Sequence, residues 1–271
     1  MKRINPWWIL SLGISVLGMV YLLAPIVVVF PLAFSSGEAL SYPIPGFSMR
    51  WYEQIIQPFP WIERLRNSLI VGTASMVVSA VVGTLAAYGL FLANFRAKSV
   101  LLAIFLAPII VPSVITGLGM FYTFSAMRIN GTFPALILAH SVLAAPFVLI
   151  TVNATLAGFD FQLARAAQSL GASPTAAFRQ VTLPLIMPGI ISGAIFAFIV
   201  SFDEIVVTLF VASSKTLTLP IQLFTSLRDQ MTPVIVAIAV LLVIGSVFLG
   251  ALANFFQRMA GRYANNKRNE A

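Results

Sequence analysis

Two adjacent carboxylates, Asp203 and Glu204, interrupt a long apolar run of the sequence and lie near its middle. A charged side chain at the centre of a bilayer costs about 2.5–3.5 kcal/mol on insertion scales, so each must face a wet cavity or a partner. Neighbouring helical residues point about 100° apart. We therefore expect one carboxylate to face a pathway and the other to meet a helix end or a neighbouring subunit.

Two interpretations of this acidic pair remain open. In the first, Asp203 and Glu204 line a substrate pathway and replace part of the water around an ammonium group. In the second, they form a structural ion pair with an arginine or lysine of this chain or of a partner chain.

The sequence holds no pattern for catalysis or for nucleotide binding. A P-loop needs a lysine that follows glycine, and none of the lysines does. The chain has no cysteine, and His140 is its single histidine. Because His140 lies in an apolar run, a packed, hydrogen-bonded interior residue is favoured over a proton relay. We expect a chain without enzymatic activity, metal or cofactor of its own.

Composition predicts an integral membrane protein of the all-α class. Of 271 residues, 59% are hydrophobic and 9% are charged, whereas soluble domains carry about 25% charged residues. A helix needs about 20 apolar residues to cross a bilayer. The sequence predicts one transmembrane domain, 1–271, with prolines breaking its third span and with six spans, at about 7–34, 67–91, 99–124, 133–152, 188–212 and 233–256.

A polar segment, 159–189, separates the fourth and fifth predicted spans and carries its own helix boundaries. Asp160 is placed to cap a first short helix, and Gly171 to end it in left-handed geometry. Ser173–Pro174 then starts a second helix, and Leu183–Pro184 is expected to end it. Two short helices joined by a tight turn are more than a connector needs, and they indicate a docking element.

Basic residues are distributed unequally between the two sides of the predicted membrane. Cytoplasmic loops carry the excess of Lys and Arg. The richer side, which includes both termini and the 159–189 segment, is therefore predicted to be cytoplasmic. Its ten basic residues are Lys2, Arg3, Arg96, Lys98, Arg165, Arg179, Arg258, Arg262, Lys267 and Arg268, and the six on the other side are Arg50, Arg64, Arg66, Arg128, Lys215 and Arg228.

The 159–189 segment resembles the EAA loop of ABC importer permeases. Ala166-Ala167, three residues, Gly171, nine residues and then Val181-Thr182-Leu183-Pro184 reproduce the spacing of that motif. One departure is Arg165, which stands where the family has Glu. The resemblance implies that this loop docks on a cytoplasmic ATPase through residues Arg165, Ala166, Ala167, Gly171, Ala172, Leu183 and Pro184.

Further segments are similar to the second permease of spermidine/putrescine-type ABC importers. They are Ser201-Phe202-Asp203-Glu204, Thr218-Leu219-Pro220 and Thr232-Pro233. The resemblance implies the MetI-like fold of a type I importer in a bacterial inner membrane. It also implies four kinds of contact: a second, homologous permease, two ATPase subunits that bind ATP and Mg, an extracytoplasmic solute-binding protein, and the lipid bilayer; it implies no nucleic acid.

Polyamines such as putrescine and spermidine are the substrates that this resemblance implies. Related importers take other small amines or amino-acid derivatives, such as γ-aminobutyrate or opines, and this alternative stays open. A gradient-driven secondary transporter or channel is an alternative of another class, but such proteins tend to show inverted repeats and several intramembrane ionisable residues. A structural scaffold would have no use for an acidic pair at mid-depth.

Overall fold

The computed structural model describes residues 6–56, 61–229 and 232–247, which are mainly helical, with one isolated bridge between Ser35 and Phe47. The helices in chain order are α1 (Pro6–Leu32), α2 (Arg50–Ile56), α3 (Trp61–Leu92), α4 (Lys98–Ile110), α5 (Ser113–Ala126), α6 (Phe133–Ala157), α7 (Gln162–Ser169), α8 (Pro174–Ala177), α9 (Leu183–Asp203), α10 (Val206–Val211), α11 (Leu219–Asp229) and α12 (Pro233–Val247). A π-helical turn, Phe178–Thr182, joins α8 to α9.

The chain forms two compact units, and among the described residues the larger holds 61–224. Its core consists of the long helices α3, α6 and α9, which pack against one another. Small residues permit this close approach, as is common between helices in lipid. The Ser75 hydroxyl donates to the Ile137 carbonyl at 3.1 Å, and the Ser79 hydroxyl donates to the Ser141 carbonyl at 3.2 Å. These bonds fix α3 to α6.

The region of the third predicted span, 99–124, is not one straight helix. It contains α4 and α5, which are inclined to each other by 104°. Val111, between them, is extended, with a ψ of 131°. It precedes Pro112, whose ring disfavours helical geometry in the preceding residue. The second proline thus accounts for the break, whereas Pro108 is accommodated inside α4.

The smaller unit contains α1, α2 and α12. The side chains of α1 between residues 10 and 30 are exposed, and the helix is strongly apolar. A folded segment follows it, in which the Trp51 indole donates to the Ser35 carbonyl at 2.6 Å. The Tyr42 hydroxyl donates a hydrogen bond to the Val28 carbonyl of α1 at 2.8 Å.

Four described helices are long and apolar enough to cross a membrane: Leu10–Leu32, Trp61–Leu92, Phe133–Ala157 and Pro174–Asp203. The bent α4–α5 pair makes a fifth candidate. The apolar helix α12 falls within the sixth predicted span, 233–256, of which residues 248–256 lie outside the described ranges. The structure is thus an all-α membrane fold with up to five spans in its described part.

Candidate coupling loop and translocation site

The local sequence sets the boundaries of the two short helices after α6. The Asp160 carboxylate accepts the Gln162 N–H at 2.9 Å, and the Ser173 hydroxyl oxygen accepts the Ala176 N–H at 3.2 Å. Between the helices, Gly171 has a φ of +95° and donates its N–H to the Gln168 carbonyl at 3.0 Å. The Ser173 cap and the left-handed turn at Gly171 are confirmed, whereas Asp160 bonds the first turn from one residue before the N-cap of α7, which is Phe161. A residue with a side chain would be strained at position 171.

The prediction that Leu183–Pro184 ends the second helix is wrong. The chain remains helical from Pro174 to Asp203, through α8, the π-helical turn and α9. In that turn the Leu183 N–H bonds the Phe178 carbonyl, five residues back. Pro184 follows this turn directly, so the altered hydrogen-bond register accommodates a residue without an N–H and the helix continues. The second part of the 159–189 segment, from Pro174 onward, is therefore continuous with the following membrane helix.

The outer face of α7 is exposed and partly apolar. Arg165 and Ala166 are exposed, and so are Leu163 and Leu170, the latter with 89% of its surface accessible. The spacing of Leu163, Ala166 and Leu170 places them on one side of the helix and the turn after it. The opposite side holds Ala164, which is buried. This gives the segment an inner packing face and an outer apolar stripe.

Arg165 makes no ion pair with any residue in the described ranges. Its guanidinium lies over the Phe161 ring, 5.6 Å from the ring centre. The remaining predicted docking positions, Ala167, Ala172 and Leu183, are half-buried, and Pro184 is exposed. The charge of Arg165 is thus available at the surface.

Aromatic contacts connect the docking segment to the end of α3. The rings of Tyr88 and Phe178 have their centres 4.7 Å apart, and those of Phe91 and Phe161 are 6.0 Å apart. Such ring pairs contribute about 0.5–1.5 kcal/mol beyond the area they bury. These contacts pack the start of the 159–189 segment and the π-helical turn against α3.

The predicted span 188–212 places Asp203 and Glu204 within one continuous helix. In the structure the helix is interrupted at these residues. Asp203 is the last residue of α9, Glu204 is extended with a ψ of 117°, and α10 begins at Val206. The Glu204 carboxylate accepts the Val207 N–H at 2.9 Å, so it caps α10. Asp203 is exposed, and its carboxylate has no hydrogen bond or ion pair within the described part of the chain.

His140, in α6, contacts both sides of this helix break. The side chain is fully buried. Its Nδ1 lies 2.8 Å from the Ser201 hydroxyl and 3.0 Å from the Ser201 carbonyl, at the end of α9. Its Nε2 lies 3.0 Å from the Thr208 hydroxyl of α10. The expectation of a packed, hydrogen-bonded histidine is confirmed.

The contact of His140 with the acidic region was not foreseen from the sequence. The available signal was a polar residue on each side of the acids, Ser201 and Thr208, in an otherwise apolar run. No group of three His, Cys, Asp or Glu side chains in the described ranges is arranged to hold a metal ion.

Comparisons with known proteins agree on one family. The family model described as binding-protein-dependent transport system inner membrane component matches residues 79–262. The putrescine transport system permease protein PotI of Escherichia coli K12 is 31% identical over 263 residues, which are 94% of this chain and 92% of that protein. The spermidine/putrescine transport system permease protein PotC of Haemophilus influenzae is 29% identical over 239 residues, 88% of this chain and 92% of that protein.

A solved structure shares the fold. The crystal structure of a bacterial ABC transporter involved in the import of the acidic polysaccharide alginate aligns with a TM-score of 0.76 at 14% identity. The alignment covers 94% of this chain and 98% of that chain. At this identity the likeness concerns the fold alone, and it extends beyond the residues that the family model matches.

Proposed function

Because the chain belongs to the family of binding-protein-dependent transport system inner membrane components, we propose that it conducts a small cationic amine of the polyamine class into the cell. The chain is a multi-pass permease subunit of an ABC importer, and it resides in the inner membrane. It is not itself an enzyme, since ATP is hydrolysed by a separate subunit. Its machinery includes an ATPase and a substrate-binding protein.

The similarity to polyamine permeases over most of the chain carries the choice of substrate. The acidic helix break supports it. Asp203 presents an exposed carboxylate without a counter-charge in the described residues, and Glu204 lies beside it with one oxygen on the Val207 N–H. A carboxylate at a helix break can replace part of the hydration of an ammonium group and supplies the opposite charge. The pair is thus suited to a cation.

The outer face of the docking segment supports a coupling role. Leu163, Ala166 and Leu170 form an apolar stripe that an ATPase groove can cover, and Arg165 adds a positive charge beside it. An acidic side chain on the ATPase would complement Arg165, which replaces the glutamate of the family motif. Because α8, the π-helical turn and α9 are continuous, a push on this segment moves the α9 end that carries Asp203.

The assembly that we propose contains a second, homologous permease and two ATPase subunits. The ATPases bind ATP and Mg²⁺, and this chain supplies half of the pathway without a cofactor of its own. The unequal distribution of Lys and Arg supports an orientation with both termini and the 159–189 segment in the cytoplasm. That orientation places the docking stripe on the side where ATP is available.

The ATPase activity of the purified, reconstituted complex tests this function. The complex is mixed with its binding protein loaded in turn with putrescine, spermidine and γ-aminobutyrate, and with the unloaded binding protein as the control. We expect stimulation by the polyamine-loaded forms. Stimulation by γ-aminobutyrate alone would agree with an ABC importer but would overturn the polyamine assignment. Stimulation by none of the three would also overturn the polyamine assignment.

A further inference from the structure

The buried hydrogen bonds around His140 extend from α6 to the acidic helix break. Ser201 precedes Asp203 by two residues, and Thr208 follows Glu204 by four. His140 lies between their hydroxyls, at 2.8 Å from the first and 3.0 Å from the second. Thr208 in turn donates to the Glu204 carbonyl at 2.9 Å. One imidazole therefore reaches both sides of the break and, through Thr208, the backbone of Glu204 itself.

The two tautomers of His140 divide these bonds differently. If Nε2 carries the proton, it donates to the Thr208 oxygen, Thr208 keeps its own proton for the Glu204 carbonyl, and Nδ1 accepts the Ser201 hydroxyl. If Nδ1 carries the proton, it donates to the Ser201 carbonyl, and Nε2 accepts the Thr208 hydroxyl. In either form the imidazole is bonded to both sides of the break.

A helix break leaves backbone groups that need partners. At this break, the Glu204 carboxylate accepts the Val207 N–H, and the Glu204 carbonyl accepts the Thr208 hydroxyl. The direction of Glu204 is thus fixed at both its side chain and its backbone. Since Thr208 is itself held by His140, the orientation of the acidic pair depends on a residue that is 64 positions away in the sequence.

We propose that His140 is a positioning residue for transport. Through Ser201 and Thr208 it holds the break between α9 and α10, and so directs the Asp203 and Glu204 carboxylates toward the passing cation. This inference rests on the proposed function, in which those carboxylates contact a cationic substrate. His140 does not touch the substrate, and it acts through the geometry of the break.

The test uses the reconstituted complex and measures polyamine taken up per ATP hydrolysed, together with the amount of assembled complex. Thr208→Val removes the hydroxyl that links His140 to Glu204, and Thr208→Ser retains it. We expect Thr208→Val to lower uptake per ATP about three- to tenfold, within the range of pairwise terms in one hydrogen-bond network. Thr208→Ser is expected to restore it.

Thr123→Val is the matched control. The Thr123 hydroxyl also donates to a carbonyl four residues back, that of Gly119, at 2.8 Å, but it is exposed and has no other hydrogen-bond partner in the described ranges. We expect uptake per ATP in the Thr123→Val complex to equal that of the unsubstituted complex.

Ser201→Ala is the second variant, in case Thr208→Val assembles poorly. It removes only the hydroxyl that lies 2.8 Å from Nδ1, and a decrease in uptake per ATP is expected.

A double substitution separates positioning from packing. If His140 and Thr208 act through the acidic pair, adding Thr208→Val to Glu204→Gln should lower uptake per ATP by a smaller factor than Thr208→Val does alone. Additive losses, or unchanged uptake per ATP in well-assembled Thr208→Val and Ser201→Ala complexes, would overturn the inference while the polyamine function stands. If the unsubstituted complex transports no polyamine, the proposed function fails, and this inference fails with it.

Discussion

Asp203 and Glu204 are neighbours in the sequence but have different surroundings. Glu204 is half-buried and caps α10, whereas Asp203 is exposed at the end of α9 with no partner in the described ranges. The two carboxylates can therefore be separated experimentally. One has a structural task in addition to any contact with substrate, and the other does not.

Neutral variants of these residues test their role in transport. Asp203→Asn removes a charge from an exposed, unpaired carboxylate, so we expect normal assembly and reduced polyamine uptake. Glu204→Gln retains an oxygen that can accept the Val207 N–H, so its assembly should also persist while uptake falls. Glu204→Ala loses the cap, which is worth about 1 kcal/mol. Uptake of labelled putrescine and the yield of complex are measured; unchanged uptake in both neutral variants would contradict the pathway role.

The sequence alone locates these acids but not the helix break beside them. There is no proline or glycine between residues 201 and 208 to signal it. The break is stabilised instead by His140, which lies in a different helix. Local patterns cannot reveal such a tertiary contact, and for this reason the predicted span 188–212 appeared continuous.

At the scale of helices, the boundaries in the 159–189 segment could be predicted from the local sequence, in contrast to the break at Asp203 and Glu204. Asp160, Gly171 and Ser173 act on backbone groups two or three residues away, so the local sequence was sufficient to predict them. The prediction for Leu183–Pro184 was wrong because a proline that ends a helix and a proline that follows a π-helical turn look alike in sequence. Here the π-helical turn allows the helix to continue past Pro184.

Gly171 is the residue at which the tight turn can be perturbed alone. A Cβ there would meet no atom within 4 Å, so the effect of a substitution is conformational. Because φ at this position is +95°, Gly171→Ala should reduce the stability of the turn by about 1–2 kcal/mol. Gly171→Pro cannot adopt this φ, and we expect it to abolish uptake while membrane insertion remains. Gly171→Asn should be milder than either. Normal uptake by Gly171→Pro would refute the coupling role.

Gly193 tests the packing of α9 on α6. A Cβ at this position would meet the Thr151 hydroxyl and would lie 2.8 Å from the Val148 Cα. Because backbone cannot yield easily, Gly193→Ala should destabilise the chain by about 1–3 kcal/mol. Gly119→Ala is the matched control, since no atom lies within 4 Å of a Cβ there. Thermal denaturation of both variants in detergent measures the difference, and equal midpoints would contradict this packing.

At the scale of the whole molecule, the orientation that we propose in the membrane rests on the distribution of charge rather than on the fold. The chain contains no cysteine, so single cysteines can report it directly. Ser169, in α7, and Ser214, in the loop after α10, are both exposed. In intact cells without an outer-membrane barrier, we expect a membrane-impermeant maleimide to label Ser214→Cys and to spare Ser169→Cys. Permeabilised cells should label both, and the reverse pattern in intact cells would invert the proposed orientation.

The central claim is that ATP drives import of a polyamine through this permease, and uptake into proteoliposomes tests it most directly. Vesicles that contain the complete complex receive labelled putrescine and the binding protein outside, with or without ATP enclosed, and with or without an ionophore that collapses ion gradients. We predict uptake that requires enclosed ATP and persists with the ionophore. Uptake that needs no ATP and disappears with the ionophore would identify a gradient-driven transporter and contradict the account.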